Sequence, residues 1–240
     1  MQNLLPGLQQ QYDLDLVIAN GENAAGGRGL TLATAEELFQ SGVDVLTSGN
    51  HIWDQKEIIP YLDGDKRILR PLNYPPGVPG QGYWILGQTL VVNLMGRVFM
   101  GSFDFDCPFR AMDSLLQELS EVPPVIIVDF HGEATAEKMA LGWYLDGRVS
   151  AVLGTHTHVG TIDARVLPQG TAYISDVGMT GPTNSIIGDE IQGVIDKFLT
   201  QVPTRFSVGS GCVTFNSVLV EVDETNGKAK SITRIDREWT

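Results

Sequence analysis

Apolar positions along the chain fall into short blocks whose spacing switches between the period of a strand and that of a helix. Residues 14–19, 43–46, 124–129, 149–153 and 171–175 are compact apolar runs of strand length. Residues 109–119, 135–145 and 190–199 have helical spacing, with Thr135 placed to cap its helix. Thr34 and Glu37 stand at capping-box distance and predict a short helix to Gln40, stopped at Gly42. Leu4, Leu5 and Leu8 trace one face of an opening helix, a pattern that Pro6 and Gly7 weaken. Residues 67–69 read as a short extended piece. Two hairpins follow from apolar alternation around turn residues: 83–86 with 89–94 about Gly87-Gln88, and 212–222 with 229–235 about Thr225, Asn226 and Gly227. Strands alternating with helices predict an α/β core, and the hairpins add antiparallel strands at its edge or in a second sheet. With no repeat and no linker in the chain, one domain is expected.

Composition agrees with a packed core. Of 240 residues, 42% are apolar and 19% charged, which excludes a disordered, collagen-like or coiled-coil chain. The apolar runs are far shorter than the roughly 20 residues that span a bilayer, so no membrane span is expected. The 16 basic and 29 acidic residues leave a net charge of −13. Such a chain repels duplex nucleic acid, whose binding depends on clustered cations. If its substrate is a phosphate ester, the attraction has to come from a local positive source, for which bound metal ions are the common solution. Cys107 and Cys212 have no zinc-site spacing, and no segment reads as a signal peptide, so a reducing, cytoplasmic setting is expected.

The candidate chemistry lies where strands end. All four histidines, His51, His131, His156 and His158, follow directly on predicted strands, and the run 14–19 leads into Asn20, Gly21, Glu22 and Asn23. In α/β folds such ends converge from distant sequence onto a ligand. Imidazole, amide and carboxylate without thiolate suit Mn(II), Fe(II) or Zn(II) at a catalytic rather than a structural site. His156 and His158 are two residues apart, so an extended backbone would turn both to one side, where each could serve a different ion. Glu22 is placed to bridge them. Asp54, Glu57, Asp146, Asp163 and Asp176 read as capping or solvated residues. Glu133 reads first as a surface carboxylate and second as a group orienting a ligand imidazole.

The ordered motifs GEN (21–23), GNH (49–51), DFHGE (129–133) and GTHTH (154–158) resemble those of the calcineurin-like metallophosphoesterases. With GENAAGGRG, TSGNHIWD, RPLNYPPG, NLMGR, ALGWYLDGR and TAYISDVGMTGP, the resemblance covers nearly the whole chain and is closest to the bacterial YmdB-like branch of cyclic-nucleotide phosphodiesterases. It implies a two-sheet sandwich flanked by helices and a centre of two divalent ions, drawn from Fe, Mn and Zn. Glu22 would bridge them, Asn23 and His158 would hold the first, and Asn50, His131 and His156 the second. A hydroxide shared by the ions would attack a small phosphodiester such as a 2′,3′-cyclic nucleotide, with His51 as general acid. The family pattern opens with a strand and a GDVVG-like turn whose Asp is a ligand of the first ion. Nothing before the opening helix matches it, so a single domain over 1–240, N-terminally incomplete relative to the family, is expected, with a weakened first metal site. Gly132 stands where the family more often has Ala. The sequence leaves two alternatives open: a catalytically impaired nucleotide-sensing or scaffold protein, and a mononuclear site of Asn50, His131 and His156 with weak hydrolase activity. The oligomeric state is also open, a homo-oligomer included.

Overall fold

Residues 90–95 and 125–131 lack polar alternation because the strands they form are covered on both faces. The computed structural model of the protein describes residues 1–101 and 104–240. Its first elements are α1 (Leu5–Tyr12), β1 (Ile18–Asn20), α2 (Leu32–Gln40), β2 (Val45–Thr47) and α3 (Ile59–Leu62). The middle of the chain forms β3 (Tyr83–Leu86), β4 (Thr89–Met95), α4 (Pro108–Glu118), β5 (Val125–His131), α5 (Thr135–Tyr144) and β6 (Ala151–Thr155). The remainder forms β7 (Arg165–Val166), β8 (Ala172–Ile174), β9 (Thr180–Pro182), α6 (Ile191–Thr200), β10 (Val213–Phe215), β11 (Val218–Asp223), β12 (Lys228–Arg234) and β13 (Arg237–Trp239).

The main sheet runs β3-β4-β5-β6-β8-β7, with β4, β5, β6 and β8 mutually parallel and antiparallel strands at both edges. One face packs Leu90, Val92, Val128, Phe130 and Val152 against Met112 and Leu115 of α4 and Leu141 of α5. The opposite face packs Val125, Ile127, Ala151 and Ala172 against Ile18 of β1, Val220 and Val222 of β11, and Ala229 and Ile232 of β12. Behind β1 and β2, which pair in parallel, Leu5, Ala35, Ile58 and Leu62 bring in α1, α2 and the turn leading into α3. The result is the expected α/β arrangement of two sheet layers flanked by helices. No helix among the described residues is long and apolar enough to cross a membrane.

Local polar bonds account for most departures from the sequence-based expectation. The N-cap of α2 is Thr31, in a capping box with Thr34, so the helix starts earlier than the Thr34–Glu37 pairing predicts. Ala134, with no side-chain bond, rather than Thr135 stands at the N-cap of α5. Of the run 14–19 only Ile18 and Ala19 are strand, which continues to Asn20, because Asp44 clasps Val17 through its carboxylate and its own N–H. The run 212–222 is not one strand. Asn216 bonds Met179 and Ser217 bonds Asp236, so β10 joins β9 and β13 while only β11 pairs with β12. β5 extends through His131, in register with Met95 of β4 and Thr155 of β6.

Candidate metal centre

Parallel strands in neighbouring layers bring their C-terminal ends to the same edge of the sandwich. β1 delivers Glu22 and Asn23, β2 delivers Asn50 and His51, β5 ends in His131, and β6 leads into His156 and His158. His131 is 1% and Glu22 2% exposed, so the centre of the cluster is buried. Gly49 permits the approach: a Cβ there would collide with His131 Nε2 and Glu22 Oε1.

His131 Nε2 lies 3.1 Å from Glu22 Oε2, 3.3 Å from Asn50 Oδ1 and 3.0 Å from His156 Nδ1. Ligand atoms of Glu22, His131 and His156 all fall within 4.8 Å of one another. A ring nitrogen carries at most one hydrogen and can serve only one of these neighbours. Glu133 Oε2, 3.1 Å from His156 Nε2, takes the hydrogen of that ring and leaves Nδ1 with its lone pair facing the cluster. Lone pairs that crowd together without hydrogens between them are what a shared cation would satisfy. Beside this group, Asn23 Nδ2 is 3.2 Å from His158 Nε2 and 3.5 Å from Glu22 Oε2, while Asn23 Oδ1 is buried with no hydrogen-bond partner. An orphaned buried carbonyl is costly unless something outside the chain pairs with it. On donor chemistry and geometry alike, these residues fit divalent metal.

The ionisation states fit as well. Burial pushes the Glu22 carboxyl up, but the charge and hydrogen bond of His131, with the His51 backbone N–H, outweigh it and bring it to about 2. Burial, reinforced by the neighbouring His131, lowers His156 to about 4. At neutral pH the carboxylate is ionised and His156 is neutral, the forms that bind a cation. Both groups titrate lower in the folded chain than in the unfolded one, so their stabilisation is present at higher pH and lost on acidification. His156 loses its share as pH falls from about 6.5 to about 4, and Glu22 from about 4.5 to about 2. In metal-free protein the His156 share, discounted for solvent screening of a partly exposed ring, is on the order of 2–3 kcal/mol. We expect the melting temperature of the metal-free chain to fall between pH 6.5 and 4, and to fall less in His156→Gln. Parallel melting profiles for the two proteins would contradict this.

His51 approaches from the side. Its backbone N–H bonds Glu22 Oε1 at 3.0 Å, and its Nδ1 lies 2.9 Å from Asp54 Oδ2, which also accepts from Arg28 Nε at 2.5 Å. Asp54 is therefore a partner of His51, not the capping or solvated residue the sequence suggests. The only trace of this in the sequence is the spacing of three that follows the GNH motif. Glu133, read first as a surface carboxylate, holds the His156 ring. Asp176 is buried and anchors the loop between His156 and His158, accepting from the N–H and hydroxyl of Thr157. Asp146 and Asp163 do bond loop groups, as a capping role predicts.

The backbone of the GTHTH loop also differs from expectation. His156 has φ +101° and His158 φ +65°, left-handed conformations rather than an extended run. The two rings consequently part company, His156 to His131 and His158 to Asn23, with His158 Nδ1 held 2.7 Å from the Ile187 carbonyl. Left-handed backbone at non-glycine residues costs on the order of 1–3 kcal/mol each and clusters at functional sites.

A family model described as YmdB-like protein matches residues 1–235. A Bacillus subtilis (strain 168) protein described as a 2′,3′-cyclic-nucleotide 2′-phosphodiesterase is 48% identical over 235 residues, covering 96% of this chain and 88% of the relative. A hypothetical protein from Thermus thermophilus has a crystal structure that superposes with a TM-score of 0.92 at 46% identity, covering 100% of this chain and 93% of that one. A phosphatase of Mycoplasma pneumoniae superposes with a TM-score of 0.92 at 36% identity, covering 99% of this chain and 87% of that one. Since the matched span takes in all four loops that meet at Glu22 and His131, the chain belongs to the YmdB-like family.

Proposed function

We propose that the protein is a metal-dependent phosphodiesterase that hydrolyses small phosphodiesters, 2′,3′-cyclic nucleotides among them. The observation that carries this is the convergence of Glu22, Asn50 and His156 on His131 Nε2. The activity named for the Bacillus subtilis relative gives the substrate class. Asn50, His131 and His156 would hold one divalent ion, Asn23 and His158 a second, and Glu22 would sit between the two. Bound Fe, Mn or Zn ions neutralise phosphate charge and provide a nucleophile at neutral pH, which a chain of net charge −13 needs in order to attract a phosphate at all.

The chain's own groups supply positioning and the proton. Asp54 accepts the Nδ1 hydrogen of His51 and fixes the ring, so Nε2 is the atom that passes a proton to the departing oxygen. Arg28 donates to the same Asp54 oxygen and holds that carboxylate in place beside the ring. Glu133 holds the His156 ring, and Gly49 leaves room for the cluster to form.

The test is hydrolysis of a 2′,3′-cyclic nucleotide by the full chain with Mn(II), beside His51→Ala. We expect turnover by the wild-type chain. In His51→Ala, bound metal should be unchanged and turnover of a substrate with a poor leaving group about a hundredfold slower. Full activity in the variant would remove His51 from the acid role. Cyclic nucleotide bound by the wild-type chain but never hydrolysed under saturating Mn(II) would favour a sensor or scaffold instead.

A further inference from the structure

Resting on that reading of the site, we infer that Asp129 and Thr155 form a positioning relay that selects which nitrogen of His131 faces the metal centre and ties the two sheets together beneath it. Neither residue carries a metal-binding side chain in the cluster, yet both lie directly under it. Asp129 stands two residues before His131 on β5, on the same side of the strand. Thr155 is the register partner of His131 on β6.

With Asp129 as the carboxylate, the form its three donors satisfy against the cost of burial, the hydrogens run in one direction. Asp129 Oδ2 accepts from Thr47 Oγ1 at 2.5 Å and from Asn20 Nδ2 at 3.0 Å, and its Oδ1 accepts from Thr155 Oγ1 at 2.7 Å. The Thr155 hydroxyl has a single hydrogen. With that hydrogen on Asp129, its oxygen can only accept from His131 Nδ1, 3.0 Å away. Nδ1 therefore keeps its ring hydrogen, and Nε2, the nitrogen that faces Glu22, Asn50 and His156, is the one that can give up a hydrogen to Glu22 or its place to a cation. A second, longer bond reaches the same hydroxyl from Asn20 Nδ2 at 3.5 Å, filling its acceptor capacity.

The same carboxylate spans the layers. Asn20 and Thr47 end the parallel pair β1 and β2, which deliver Glu22, Asn23 and Asn50, whereas Asp129 and Thr155 belong to the main sheet, which delivers His131 and His156. Each half of the ligand set comes from one layer, and Asp129 is bonded to both. Its loss would let the two halves shift against each other as well as free the ring of His131.

Outer partners of ligating histidines are worth about 10–100-fold in metal affinity. In the full chain, Thr155→Val removes the hydroxyl at nearly constant volume and suits a strand, while Thr155→Ser keeps it. Calorimetric titration with Mn(II), after chelator treatment, should show Thr155→Val and Asp129→Asn binding about 10–100-fold more weakly than wild type, with Thr155→Ser restored to about wild-type affinity. Unchanged Mn(II) affinity in Thr155→Val, when His131→Ala has lost it, would overturn the relay and leave the metal site intact. If His131→Ala also binds normally, the site itself is wrong. Should Thr155→Val or Asp129→Asn fail to fold, nitrogen-15 spectra of the wild-type chain loaded with Zn(II) decide the matter. A hydrogen on His131 Nδ1, slow to exchange, is the expected result, and one on Nε2 overturns the relay.

Discussion

His131→Ala is expected to empty the metal centre and to lower cyclic-phosphodiester hydrolysis by about a thousandfold or more. The imidazole is the one group that all other members of the cluster touch: Glu22, Asn50 and His156 each lie within 3.3 Å of its Nε2. Lewis-acid stabilisation of phosphate charge is worth several kcal/mol, and each 1.36 kcal/mol is a factor of about ten in rate. The variant also leaves the buried Glu22 carboxylate with fewer partners, so metal-free His131→Ala should melt below the metal-free wild type. Metal content per chain, measured by mass spectrometry on protein purified without chelator, reads the first effect, and steady-state hydrolysis reads the second. Retention of the full metal complement with undiminished turnover would remove His131 from the site and with it the geometry on which the proposed reaction depends.

What the sequence disclosed and what it withheld divide along physical lines. Ligand-bearing loops were legible because they follow apolar runs: strands 124–129 and 149–153 announce themselves by continuous burial, and the histidines stand directly behind them. The topology then places those ends together, a consequence of parallel strand order that needs no detailed geometry. Roles that depend on loop conformation were not legible. Asp54 reaches His51 and Glu133 reaches His156 only because the chain turns after each ligand, and an acidic residue a few positions from a histidine looks the same on a solvated surface. The left-handed conformations of His156 and His158 leave no trace in residue type, since neither is glycine. Strand ends misread for a related reason. Asp44 on Val17 and Asp236 on Ser217 are side-chain bonds from distant residues that compete with the ladder, and apolar alternation does not report them. Asp129 was the least visible of all, a carboxylate within an apolar strand whose side chain is bonded to Asn20, Thr47 and Thr155, each from a different strand.

Lys138→Met is expected to destabilise the fold by about 3–5 kcal/mol, the cost of stranding one member of a buried ion pair. Lys138 and Asp176 have side chains only 2% exposed, with Nζ 2.8 Å from Oδ2. The lysine comes from α5, beneath the sheet edge, and the aspartate follows β8. Asp176 also accepts from the Thr157 N–H at 3.0 Å, the Thr157 hydroxyl at 2.8 Å and the Gly178 N–H at 2.8 Å. One buried charge therefore anchors the turn that separates His156 from His158. Removing the ammonium leaves the carboxylate either charged without a counterion or protonated and a poorer acceptor, and in both cases the strained loop loses support. For a chain of this size the melting temperature should fall by about 10 °C. Asp176→Asn separates the charge from the hydrogen bonds, because the amide oxygen can still accept from Thr157 while Lys138 becomes the stranded ion. The double variant Lys138→Met/Asp176→Asn, with no charge left to strand, should lose less than the sum of the two single losses, which denaturant melts of all four proteins would measure. Strict additivity would mean that the two charges do not stabilise each other. A wild-type melting temperature in Lys138→Met would mean that the loop holding His156 and His158 draws its rigidity from elsewhere.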